Sequence, residues 1–111
     1  MLSRLFGSEI MERVLYFLLK NEKGYPSEIR KALQVPVYSV QKALERLEFA
    51  GIVVSQTIGK TRVYEFNPRS PFIPELKALL EKAYSFLPTD HKVNFYEQHK
   101  RKRPRRKGKP L

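Results

Sequence analysis

Apolar residues fall at helical spacing in four stretches of this chain, and two short β-branched and aromatic runs lie between the third and the fourth. The first stretch follows Ser8, which can N-cap a helix, with Glu9 and Glu12 in the first turn where they suit the helix dipole. It predicts a helix to Lys20, broken by Asn21 to Gly24. Its apolar positions, Ile10, Met11, Val14, Leu15, Phe17, Leu18 and Leu19, cover more than half of the circumference. A helix packed on one core needs a narrower stripe. The excess predicts a second contact surface, most simply another subunit; the alternative is a central helix buried by its own domain.

Tyr25-Pro26 reads as a short extended piece. Ser27 is expected to cap a second helix through about Leu33, with Ile29 and Leu33 facing in. Gln34-Val35-Pro36 makes a turn, and a third helix runs from about Val37 to Ala50, where Gly51 supplies a left-handed stop. This helix is two-sided. Val37, Val40, Ala43, Leu44 and Leu47 share a core face; Tyr38, Gln41, Lys42 and Glu45 share the opposite one, with Ser39 and Arg46 beside them. That face mixes an aromatic, an amide, a hydroxyl and cations, the groups that read base edges and phosphates. An ordinary solvated face is the competing interpretation.

Ile52–Thr57 and Arg62–Phe66 read as strands of a hairpin, with Gly59 in the turn between them. Lys60 and Arg62 sit near its tip, within reach of a phosphate or the minor groove. After the proline-punctuated connector Asn67–Pro71, a fourth helix starts near Pro74 and ends near Leu87-Pro88. Leu76, Leu79, Leu80, Ala83, Tyr84, Phe86 and Leu87 line one face of it. Apolar helices at both ends of a unit that already has its own core make a natural two-fold interface. Met11, Leu15 and Leu18 from the first helix, and Leu76, Leu80, Ala83, Tyr84 and Leu87 from the fourth, are the expected contact set.

The whole predicts an α+β, mostly helical domain over residues 1–90. Its order of short strand, helix, turn, helix and hairpin over Tyr25–Phe66 is the layout of a winged helix-turn-helix with a two-stranded wing.

Charge changes the picture after residue 90. The chain of 111 residues carries a net charge of +11, and residues 91–111 hold +8 of it, leaving +3 for residues 1–90. Residues 91–99 are polar with Val93, Phe95 and Tyr96 among them, which leaves a short docking piece open, whereas Lys100–Leu111 buries too little apolar surface to fold alone. The tail as a whole reads as a basic, disordered arm that attracts polyanions, nucleic acid above all. Arg103, Arg105, Arg106, Lys107 and Lys109 are its candidate phosphate contacts. Lys107-Gly108-Lys109-Pro110 has the shape of an AT-hook core, a segment that enters the narrow minor groove of A·T-rich DNA. The blander reading is an arm that binds any phosphate backbone.

Other chemistry is thin. Cysteine is absent, which removes disulfides and thiolate metal sites. His91 and His99 have no neighbouring ligand set, and no catalytic grouping or phosphate-cradling glycine loop appears. No enzymatic activity, metal, cofactor or small-molecule ligand is expected. The longest apolar run, Val14 to Leu19, is too short to span a bilayer, and no small-residue cleavage site follows it, so neither a membrane span nor a signal peptide is expected.

The motifs Leu5-Phe6-Gly7-Ser8, Ser39-Val40-Gln41, Leu47-Glu48…Ala50-Gly51-Ile52-Val53, Tyr64-Glu65-Phe66-Asn67-Pro68 and Pro74-Glu75-Leu76, in this order, resemble small ArsR-like winged-helix transcriptional regulators. The resemblance covers about residues 4–87. It implies a prokaryotic, cytoplasmic, nucleoid-associated homodimer on double-stranded DNA. The outer helices would pair, the third helix would lie in the major groove and the hairpin would serve as wing. Carried over by position, Tyr38, Ser39, Gln41, Lys42 and Arg46 face the groove, and Lys60 and Arg62 lie on the wing. In the binding mode expected here, backbone N–H groups near Ser27 and the wing fix the register on the duplex. The wing departs from the family pattern in its scarcity of arginine, with Val54, Gln56, Thr57, Ile58 and Thr61 in its place. Two other uses of the fold stay open: RNA or ribosome binding, and purely protein–protein contact.

Overall fold

The most apolar stretch becomes the central helix. A computed structural model of the chain describes residues 2–97. In it α2 (Glu9–Asn21) starts at Ser8, whose Oγ accepts the Met11 N–H at 2.9 Å. Val14, Leu15, Tyr16, Phe17 and Leu18 are all buried. A short turn, α1 (Ser3–Phe6), covers the start of α2, and the remaining helices pack around it. The wide apolar surface of α2 is therefore satisfied within one protomer, and it does not call for a second subunit. Burial alone would raise the Glu12 carboxyl. The Leu2 N–H at 2.9 Å and the Tyr16 hydroxyl at 2.7 Å donate to it, and it sits below the ordinary glutamate value.

β1 (Lys23–Gly24) follows, pairing Lys23 with Glu65 and Gly24 with Tyr64. The extended piece thus lies just before the predicted Tyr25-Pro26. Pro26 opens α3 (Pro26–Leu33), because its missing N–H has no partner at a helix start anyway. Ser27 is inside the first turn of α3 and caps nothing, which corrects its expected role as N-cap. Gly24 is where backbone comes close to the core: a Cβ there would lie 2.9 Å from Phe17 Cε1 and 3.1 Å from Ile29 Cδ1. Both neighbours are fully buried. Gly24→Ala should destabilise the domain by about 1–3 kcal/mol through overpacking. A urea titration checks this, and an unchanged midpoint would show that Phe17 and Ile29 can give way.

α4 (Val37–Phe49) packs on α2 and α3 through Val40, Ala43, Leu44 and Leu47. It ends in a Schellman motif: Gly51, at φ 80°, donates to Glu48 O, and Ile52 N–H donates to Leu47 O at 2.9 Å. β2 (Val53–Ile58) and β3 (Thr61–Phe66) form the hairpin around Gly59-Lys60, with Gly59 at φ 64°. A two-residue turn of this kind needs glycine at its first position. The sheet is antiparallel in the order β1-β3-β2, so the short first strand extends the predicted two-stranded hairpin into a three-stranded sheet.

α5 (Ile73–Ser85) buries Ile73, Leu80, Ala83 and Tyr84. Leu79 and Phe86, on the predicted apolar face of this helix, remain 40% and 63% exposed. The chain then turns back through α6 (Thr89–His91) and a π-helical turn, Lys92–Glu97, onto α2 and α3. Tyr96 is buried there, and the rings of Tyr16, Tyr84 and Tyr96 meet edge to face with centroids 5.7–5.8 Å apart. Packing continues to Glu97, past the expected domain end at residue 90. Among the described residues, no helix is long and apolar enough to cross a membrane.

Candidate nucleic-acid interface

α4 has one side locked in the core and one side open. Tyr38 is 67% exposed, and Gln41, Lys42, Glu45 and Arg46 are exposed beside it; Ser39 is half-buried. Lys42 Nζ hangs 5.9 Å from the Tyr38 ring centroid. The predicted face of the third helix is therefore brought together on one exposed surface. Val37, expected in the core, lies at the helix start and is 38% exposed, because the first apolar position of the stripe reaches past the surface it packs on. Phe49, in the last turn, is 96% exposed.

The hairpin holds one of its two candidate cations in an internal contact. Lys60 is exposed in the turn. Arg62 is exposed too, but its Nε donates to Ser55 Oγ at 3.0 Å, and that hydroxyl donates to Glu48 Oε2 at 2.8 Å. The chain of bonds turns Arg62 back toward the end of α4. Burial, then the Glu48 charge, push the nearby Tyr64 hydroxyl above the ordinary tyrosine value. Ser27 is exposed on the first turn of α3.

No family model, curated protein or solved structure matches this chain. Its surfaces have to be read from their own chemistry.

The expected dimer set is mostly covered. Leu15, Leu18, Leu80, Ala83 and Tyr84 are buried in the protomer's own core, and Met11, Leu76 and Leu87 are half-buried against it. Helical spacing shows which face is apolar and leaves open which neighbour covers it. The apolar residues that α5 and its flanks leave open are Phe72, Leu79 and Phe86, with Phe72 70% exposed. Their seven-residue spacing was the signal in the sequence, hidden because the stripe borders the buried face. Arg103, Arg105, Arg106, Lys107 and Lys109, with the AT-hook-like run, lie outside the described residues.

Two hollows flank the start of α2. One, about 430 Å³, lies against Tyr16, His91 and Phe95 and has Glu9 and Glu12 in its wall. The other, about 260 Å³, lies between Ser8, Ile10 and Met11 on one side and Tyr38, Ser39, Lys42, Ala43 and Arg46 on the other. The second groove belongs to the open side of α4, and Ser8 is a residue that reading the third helix alone did not bring to it.

Proposed function

We propose that this chain is a winged helix-turn-helix protein that binds double-stranded DNA sequence-specifically, as a homodimer, and regulates transcription in the manner of the ArsR-like regulators it resembles. The observation that carries the reading is the open side of α4, where Tyr38, Gln41, Lys42 and Arg46 project from a helix whose other side is fixed by fully buried Val40 and Leu44. A rigid helix with amide, phenol and cationic groups on its free side fits the major groove, where an amide reads adenine and a cation reads guanine. The basic tail adds affinity that is independent of sequence.

The dimer surface in this proposal is the exposed stripe Phe72, Leu79 and Phe86. Laid antiparallel about a two-fold axis near Leu79, it sets Phe72 against Phe86 of a second copy and Glu75 against Lys82. The paired α4 helices would then enter successive major grooves, roughly 34–36 Å apart, on a near-palindromic operator.

Selection from a random duplex library tests the function. The native chain should enrich one motif, and Gln41→Ala with Lys42→Ala should lose it while the fold stays intact. Equal enrichment by that variant would remove α4 as the reader. Phe49 favours a second reading, contact with another protein through the end of α4. That reading gains if the native chain enriches nothing and binds no duplex at low salt.

A further inference from the structure

The two flanks of α4 carry opposite charge. At about 3.6 residues per turn, Ser39, Lys42 and Arg46 fall on one side of the ridge between Tyr38 and Phe49. Gln41, Glu45 and Glu48 fall on the other. The basic flank faces the start of α2 and closes the groove of about 260 Å³ with it. No carboxylate lines this groove. Glu9, between Ser8 and Ile10 in sequence, lines the other hollow instead.

Donors converge in the groove. Ser8 Oγ already accepts the Met11 N–H, which leaves its own O–H to donate. Ser39 and Tyr38 add two more hydroxyls, and Lys42 and Arg46 supply charge. Arginine and lysine bonds to a phosphate are charge-assisted and stronger than neutral ones, and guanidinium can bind two oxygens at once. The acidic flank is the opposite case. Glu48 faces the hairpin through Ser55, whose hydroxyl also holds Arg62. Glu45 stands exposed on the same flank. A phosphate on the hairpin side would meet two carboxylates and a guanidinium that is already engaged.

We infer that the groove between the start of α2 and the basic flank of α4 is a phosphate clamp: it grips a backbone phosphate of the bound duplex, and the hairpin is the weaker contact. The clamp rests on the DNA-binding reading above and deepens it by choosing which strand is held. The duplex is anchored along α2, with Ser8 fixing its register and Lys42 and Arg46 closing over the phosphate. α4 enters the groove tilted toward its basic flank.

The test uses the full chain and two readouts. In the first, inorganic phosphate is titrated into the labelled protein and backbone amide shifts are followed by NMR. Shifts should cluster at Ser8–Met11 and Ser39–Arg46 and vanish in Lys42→Gln/Arg46→Gln, whose exposed positions leave folding intact. Shifts scattered over all the surface lysines would overturn the clamp. In the second, affinity for a mixed-sequence duplex is measured over a salt series. Losing the one clamped phosphate contact should reduce the slope of log K against log salt by about 0.9. Lys60→Gln/Arg62→Gln should reduce it by less. Duplex binding that weakens more with the hairpin pair than with the groove pair would overturn the clamp and leave the DNA reading standing. No duplex binding by the native chain would overturn the DNA reading and the clamp with it.

Discussion

Replacing Tyr96 with alanine should cost the domain about 3–5 kcal/mol, the range for emptying a buried aromatic site. Tyr96 is 3% exposed and completes the three-ring cluster with Tyr16 and Tyr84. Its backbone carbonyl accepts the Asn21 Nδ2–H at 3.0 Å, deep against the end of α2. The flanking contacts depend on it as well. Tyr84 donates to Glu97 Oε2 at 2.6 Å, and the Arg13 guanidinium lies 4.7 Å from the Phe95 ring centroid. For a domain of this size, each kcal/mol lowers the melting temperature by about 4–8 °C, so thermal unfolding followed by circular dichroism reads the effect directly. A chain ending at His91 should lose at least as much, because Asn21 then loses its Tyr96 partner. A chain ending at Glu97 should melt with the full-length protein. If the chain ending at His91 melts normally, the C-terminal turn is a passenger on α2 and not a part of its core.

This segment also shows where the sequence stops being legible. Averaged over residues 91–111, composition is dominated by lysine and arginine and reads as an arm. Val93, Phe95 and Tyr96 hint at a docking piece within that average, and only the three-dimensional neighbours Tyr16 and Tyr84 show where it docks. Local signals fared better. Ser8 caps α2, Gly51 ends α4 and Gly59 turns the hairpin, because each depends on backbone chemistry within a few residues. Ser27 failed by two positions, since proline at residue 26 opens α3 and leaves Tyr25 at the cap. The open face of α4 was readable from its periodicity. The engagement of Arg62 was not, because Ser55 and Glu48 each lie seven residues from the next group in the relay and meet only across the hairpin and the helix end. The dimer set failed for a related reason. Periodicity marks a residue as apolar, and whether its cover comes from the same chain or a second copy depends on packing that the pattern does not encode.

Leu79→Glu should convert the proposed dimer into a folded monomer. Leu79 is 40% exposed in the protomer, so the substitution places the new carboxylate at the edge of α5 and leaves the core of Leu80 and Tyr84 undisturbed. In the antiparallel arrangement position 79 meets its own copy. Covering the remaining apolar surface of two leucines is worth about 1–3 kcal/mol, and two facing carboxylates add repulsion to that loss. The dissociation constant should rise by at least roughly tenfold, toward a hundredfold, as read by sedimentation equilibrium. Binding to a duplex with two half-sites should weaken in parallel, while binding to a single half-site should not, because α4 is untouched. Mixing Leu79→Glu with Leu79→Lys protein gives a sharper readout. Opposite charges at the axis should restore association as a heterodimer, an outcome that a general folding defect would not produce. If Leu79→Glu remains a dimer, the α5 stripe is not the interface. Phe72 and Phe86 would then be left as an apolar surface for a different protein, and the two α4 helices would have to be held at operator spacing by some other contact.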